Sequence, residues 1–320
     1  MSSVLSDRQF HDEAAAYRWV EARIWPNGPV CPHCGGTDRI SKMQGKSTRI
    51  GTYKCYQCRA PFTVKVGTVF EASHVKLHLW LQAIFLMASS KKGISSNQLH
   101  RTLGVTLKTA WFISHRIREA MREGNLGPLG GNGKIVEADE AYYGKASDQS
   151  PSAQRKGRPL LKRKPGTSNK RAILGLVERG GSVRTFHVIQ ANQHNVASLV
   201  TANVARESKL YTDESRLYSG MGNHFAGHGT TKHAAGEYVR YEGGDVIHSN
   251  TIENYFSVFK RGMRGTYQHC AEKHLHRYLA EFDFRYNRRV ALGVNDEARA
   301  ASILSGVVGK RLTYETTSAR

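Results

Sequence analysis

The chain has 320 residues, with 47 Lys plus Arg against 26 Asp plus Glu and a formal charge of +21. That length supports a sizeable core and two or three domains, and that charge draws polyanions rather than small neutral substrates. No apolar run reaches the roughly 18 residues of a membrane span, and the N-terminus has no apolar signal core. A cytoplasmic, nucleoid-associated bacterial protein with no membrane partner is therefore expected.

Residues 11–25 read as a short helix, broken by "WPNGPV". A cysteine-bracketed unit follows. Cys31 and Cys34 are spaced by two residues, as are Cys55 and Cys58, and twenty residues separate the pairs. Each Cys-x2-Cys turn places two thiolates on one ion, and two turns complete a tetrahedral site. The spacing predicts structural Zn2+, because four thiolates leave no open position for catalysis. Arg49, Tyr53, Lys54, Tyr56 and Arg59 make the surroundings basic and aromatic, which suits nucleic acid. The N-terminal helix and this ribbon form a first domain, 1–70.

Residues 74–88 read as a helix with a broad apolar face. "GISSNQLHRTLGVTLKTAWFISHRIREAM" then reads as helix, tight turn, helix. Ser95 or Ser96 suits the first cap, Gly104 the turn and Thr106 the second cap. Ala110, Ile113 and Ile117 point inward in this reading. Lys108, Thr109, His115, Arg116 and Arg118 are then the candidates for an exposed, DNA-contacting face. This second domain, 71–130, is helix-turn-helix-like.

"GPLGGNGK" at 127–134 marks the next boundary. Strands are expected at 134–142, 171–178 and 183–190, with the glycine pair at 180–181 turning a hairpin. A helix at 194–206, a strand within 209–215 and helices at 250–262 and 271–288 follow. Residues 145–170 read as a loop, with Arg155, Lys156, Arg158, Lys162, Arg163 and Lys164 available to phosphates. Residues 131–290 form the third domain. The last stretch, 291–320, reads as a small, polar tail. Cys270 is expected to be a buried free thiol. His224, His228, His233 and His248 are too irregularly spaced to predict a second metal site, although His248 could lie at an active-site rim. Arg285, Tyr286, Asn287, Arg288 and Arg289 could serve DNA backbone or helix packing.

"KIVEADEAYYG" carries three acids inside a strand. Alternation puts Glu137 and Asp139 on one face and Glu140 on the other. Glu137 could tune Asp139 or salt-bridge to a base, and Glu140 reads as structural or surface. Asp213 ends "KLYTD". Glu253 falls in the first turn of a helix that Ser249 or Asn250 could cap. Carboxylates from separate elements are the ligands a pair of divalent cations needs for phosphoryl transfer.

These stretches together resemble the IS1595 family of insertion-sequence transposases, with its ISXO2-like domain. The resemblance rests on "CPHCGG…YKCYQC", the helical pair, "VEADEAYYG", "YTDES" and "HSNTIENYFSVFKRGMRGTYQH", and covers residues from about 20 to 290. It implies an α/β fold: an RNase H-like core of mixed sheet with flanking helices, preceded by the zinc ribbon and the helical domain. It also implies a DDE-type enzyme that cuts insertion-sequence ends and joins their 3′ ends to target DNA, using Mg2+ or Mn2+. Asp139 and Asp213 match the first two acids. The third position is Glu253, with Asn250 assisting the metal and Lys260 holding a phosphate; some relatives use Asn and Lys there instead. The implied partners are double-stranded DNA, as terminal inverted repeats and target, and a second copy of the chain in at least a dimer. The competing readings are a DNA-binding protein with a non-catalytic core and a structure-selective nuclease.

Overall fold

A computed structural model describes residues 3–124, 126–145, 153–155, 158–160 and 170–313. The chain divides into two compact units, Met1–Glu123 with Arg288–Arg320, and Gly124–Asn287. No helix among the described residues is long and apolar enough to cross a membrane.

In the first unit, α1 (Glu13–Ile24) is capped by Asp12, which accepts from the Ala15 N–H at 2.6 Å. Strands β1 (Ile40–Lys42), β2 (Tyr53–Cys55) and β3 (Pro61–Phe62) make an antiparallel sheet. Trp25 meets Tyr53 and Phe62 edge to face in its small core, beside buried Cys31 and Cys55. α2 (Leu77–Ser89) buries Trp80, Leu81, Ile84 and Met87. Its N-cap residue, Lys76, offers no capping side chain. The Glu13 carboxylate accepts from Leu77 N at 2.8 Å and His78 N at 3.1 Å instead.

α3 (Ser96–Leu103) and α4 (Leu107–Met121) carry the caps that the sequence predicts. Ser95 accepts from Gln98 N, Thr106 accepts from Thr109 N, and Gly104 takes the left-handed φ of 64° that ends α3. Ala110, Ile113 and Ile117 are buried as expected. The exposed face of α4 is not the expected one. His115, Arg116 and Arg118 are only 0%, 5% and 1% exposed. Arg116 donates to the carbonyls of Val69 and Glu71, both at 2.8 Å, and Arg118 donates to Ser114 Oγ at 3.0 Å. His115 lies against Trp111, with ring centroids 4.1 Å apart. Elements packed around the second half of α4 turn these long side chains inward, where Arg116 satisfies carbonyls and Arg118 a serine hydroxyl instead of phosphates. The three are withdrawn as DNA contacts. Lys108 is exposed and Thr109 half-buried, both in the first turn.

A C-terminal helix, Asp296–Ser305, buries Ala300, Ile303 and Leu304, and Val307 just beyond it is also buried. It packs on α2 and α4. The stretch read as a polar tail therefore supplies core to the first unit.

The second unit is built on a five-stranded sheet. In chain order its elements are β4 (Ile135–Lys145), the short pair β5 (Ala153–Arg155) and β6 (Arg158–Leu160), β7 (Lys170–Glu178), β8 (Val183–Val188), α5 (Gln193–Asn203), β9 (Lys209–Asp213), β10 (Gly227–Thr231), β11 (Arg240–Glu242), β12 (Asp245–Ile247), α6 (Asn250–Gly262) and α7 (Leu275–Asn287). The sheet order is β10-β9-β4-β7-β8. β4, β7 and β8 are antiparallel, whereas β9 and β10 run parallel to β4. α5 covers one face over Val136, Ala138, Leu174, Leu176 and Leu210. α6 and α7 cover the other over Ala141, Ile173 and Val177. This mixed sheet with helices on both faces is the RNase H-like arrangement. β10, with two glycines and three polar residues, has none of the apolar alternation that marks a strand and is not legible in the sequence.

Lys156, Lys162, Arg163 and Lys164 lie outside the described residues, as do the side chains of Arg155 and Arg158. One other expectation changes, and one open alternative is decided. Cys270 is half-buried rather than buried, with its thiol 3.3 Å from the Ala271 carbonyl. The basic end of α7 serves packing: Arg285 is buried against Glu281, and the Asn287 side chain holds both the N–H and the carbonyl of Val183.

Candidate active site

β4 and β9 run parallel and stay paired only as far as Glu137 opposite Tyr211. Beyond that point the edge of β4 is open, and Asp139 and Glu140 come next. Asp213 ends β9 beside them. Side chains from both faces of β4 can bend around this edge. Carboxylate oxygens of Asp139, Glu140 and Asp213 consequently lie within 4.8 Å of one another. Asp139 Oδ1 accepts from the Glu140 N–H at 2.7 Å, and Asp213 Oδ1 accepts from the Ser215 N–H at 3.0 Å. Glu140 Oε1 is buried, and the equally buried Tyr218 hydroxyl lies beside it. The sequence reading of Glu140 as structural or surface is corrected: it joins the cluster.

Burial raises the Asp139 pKa to about 7, helped by the negative charges of Asp213 and Glu253 and opposed by the Glu140 N–H and Lys260. Burial likewise raises Glu140 to about 7, with Asp139 and Asp213 adding to the shift. Three acids crowded within 4.8 Å of one another are an unfavourable arrangement unless a cation is shared. Their hard oxygen donors fit Mg2+ or Mn2+.

Glu253 approaches from α6, which carries it two turns before Lys260, with Ser257 between them on the same side. Asp139, Glu253, Ser257, Lys260, Arg261 and Arg264 line one open groove of about 710 Å3. Ser249 Oγ donates to Glu253 Oε1 at 2.7 Å, and His233 Nε2 lies 3.6 Å from the same oxygen. Asn250 is exposed at the first position of α6 and is not among the groove residues. The structure thus brings Asp139, Asp213, Glu253 and Lys260 together and leaves Asn250 aside. Sequence reasoning missed Arg261 and Arg264, misplaced Glu140, and noted His233 only as one of four irregularly spaced histidines. The adjacent Asp139-Glu140 pair was the available signal for Glu140; nothing local marks His233, which arrives from the turn after β10. Of the four histidines singled out, His228 bonds Thr212, and His248 lies 3.2 Å from Glu137 at the site's edge, where burial and the nearby Arg179 hold its pKa below the ordinary value. They form no metal cluster among the described residues.

In the first unit, the sulfurs of Cys31, Cys34, Cys55 and Cys58 lie within 4.8 Å of one another. The Cys31–Cys58 and Cys34–Cys55 separations are 3.6 and 3.7 Å. A tetrahedron with Zn–S bonds of about 2.3 Å has edges of about 3.8 Å. Gly35, at φ 73°, lets its N–H turn back to the Cys31 carbonyl at 2.9 Å. The four cysteines are therefore already arranged for structural zinc.

The profile of the ISXO2-like transposase domain matches residues 128–287, and that of the transposase zinc-ribbon domain matches 11–61. A Halobacterium salinarum protein described as an uncharacterized protein in transposable element ISH50 is 30% identical over 290 residues, covering 87% of this chain and 92% of its own. Among solved structures, a chain of the Mos1 strand transfer complex aligns at 12% identity and a TM-score of 0.28, over 70% of this chain and 72% of that one. A chain of the simian T-cell lymphotropic virus intasome with PP2A regulatory subunit B56 gamma aligns at 15% and 0.28, over 58% and 63%. Both likenesses are too slight to bear on this chain's chemistry. The two domain matches and the transposable-element relative agree with the cysteine cluster in front and the acidic cluster behind: this chain belongs to the IS1595 family of transposases, a zinc ribbon preceding a DDE-type catalytic domain.

Proposed function

We propose that this transposase cleaves DNA at the ends of an insertion sequence and joins the freed 3′ ends to target DNA by two-metal-ion phosphoryl transfer. The convergence of Asp139, Glu140 and Asp213 at the open edge of β4, facing the groove that Glu253 and Lys260 line, carries this reading. Asp139 and Asp213 hold the divalent cations, with Glu253 reaching in from α6 and Glu140 completing the set. When bound, Mg2+ or Mn2+ neutralises charge on the scissile phosphate and lowers the pKa of the attacking water or 3′-hydroxyl. Lys260 and Arg264 hold non-bridging phosphate oxygens, and the exposed Arg261 extends the same basic rim along the DNA backbone. Lys108 and Thr109, in the first turn of α4, contact the terminal repeat. Two element ends must be joined in one event, so the working form on DNA is at least a dimer.

The purified chain, given Mn2+, a duplex carrying its element's terminal repeat and a target plasmid, is expected to yield 3′-hydroxyl ends and joined products. Asp139→Asn is expected to abolish both while duplex binding stays at the wild-type level. Strand transfer retained by D139N would overturn the assignment of Asp139. Cutting without joining would favour a nuclease.

A further inference from the structure

Glu137 is wholly buried near the start of β4, two residues before Asp139 and on the same face. All of its acceptor capacity is used. Oε2 accepts from Thr251 N at 2.8 Å and Ile252 N at 3.1 Å, and Oε1 accepts from Thr251 Oγ1 at 2.9 Å. Arg179 Nε donates to Oε1 at 2.6 Å. The rest of that guanidinium donates to the carbonyls of Val246 at 2.7 Å and His248 at 3.0 Å. One carboxylate on the first catalytic strand thus caps α6 from 114 residues away, while its cation ties down the segment leading into the helix.

An ordinary cap comes from the helix's own N-cap residue and satisfies the first N–H groups without fixing where the helix sits. Ser249 occupies that place here and makes no capping bond; its hydroxyl is given to Glu253. The capping duty has moved to a strand whose next residue on that face is Asp139. Glu253 directly follows the Ile252 N–H that Glu137 holds. The same carboxylate therefore sets the spacing between the strand-borne acid and the helix-borne one. We propose that Glu137, locked by Arg179, is a positioning residue that sets Glu253 and Lys260 against Asp139 for catalysis. This rests on the reading of Asp139 and Glu253 as cation-holding residues in strand transfer.

The test compares wild type and Glu137→Gln on the terminal-repeat duplex, reading the Mn2+ concentration for half-maximal cleavage, kcat per folded molecule and duplex Kd. Supporting groups behind metal ligands typically change metal affinity or activity about 10–100-fold. A rise in half-saturating Mn2+ and a fall in kcat of that combined size are expected, with Kd unchanged. A purely structural role lowers Tm and the active fraction but leaves the half-saturating Mn2+ where it was, and that result overturns the proposal. Thr251→Val removes only the hydroxyl donor and serves if E137Q does not fold. It is expected to shift the Mn2+ response less and in the same direction, and an unshifted response overturns the proposal equally. Absence of any Mn2+-dependent cleavage by wild type removes the strand-transfer reading and this inference together.

Discussion

Asp139 and Glu140 each ionise near pH 7 in the metal-free protein, against ordinary values of 3.8 and 4.5. Both are raised, so between about pH 4 and 7 the folded state binds more protons than the unfolded one. Stability therefore falls as pH rises through that window, by an amount on the order of a few kcal/mol for the coupled pair. A divalent cation reverses the sign by favouring the ionised form. Thermal melts in EDTA are expected to show Tm dropping between about pH 4 and 7, and Mn2+ is expected to restore it most at the higher pH. Asp139→Asn should flatten the EDTA profile; a profile equally steep in D139N would show that other groups cause the slope. At this scale the sequence was partly legible. Asp139 and Asp213 stand out as strand acids because charge inside an apolar strand needs a reason. Glu140 did not, because alternation assigns it to the opposite face, and only the early end of the β4–β9 pairing lets both faces meet.

Helix α6 shows how an element is placed as well as formed. Its pattern of Ile252, Tyr255, Phe256 and Phe259 is plain in the sequence and is buried as expected. Its docking depends on Gly175 of β7, which is paired with Asp139. A Cβ at Gly175 would stand 2.7 Å from both Ile252 Cδ1 and Phe256 Cζ. Gly175→Ala is expected to cost about 1–3 kcal/mol by overpacking, read by chemical denaturation. Because α6 bears Glu253 and Lys260, cleavage should fall by more than duplex affinity does. The far edge of the sheet is managed by another helix: Asp283 and Asn287 of α7 take the outward backbone groups of Val183 and Thr185 on β8. Amphipathic periodicity announced these helices. It misassigned the second half of α4, where the arginines are buried through hydrogen bonds and the histidine against Trp111, contacts that no pattern of apolar residues encodes.

At the scale of the molecule, the two units rest on different cohesion. The catalytic unit has apolar cores on both faces of its sheet. The ribbon has a three-stranded sheet around a handful of aromatic residues and four thiols, a core small enough to depend on its metal. Chelation, or Cys55→Ser, is expected to release one zinc per chain and open residues 31–58 to proteolysis while 170–287 stays resistant. Metal analysis and limited digestion read this; an intact ribbon after zinc loss would contradict it. The sequence by itself determined the zinc cysteines, the caps of α3 and α4, the strands and helices that carry Asp139, Asp213 and Glu253, and the family to which they belong. All of these are local: spacing, periodicity and turn chemistry act over a few residues. Tertiary structure alone decided that Glu140 joins the acidic cluster, that Glu137 caps a helix 114 residues on, and that the C-terminal stretch packs as core. Those outcomes depend on where a strand pairing stops and which surfaces meet, and no short stretch of chain carries that information.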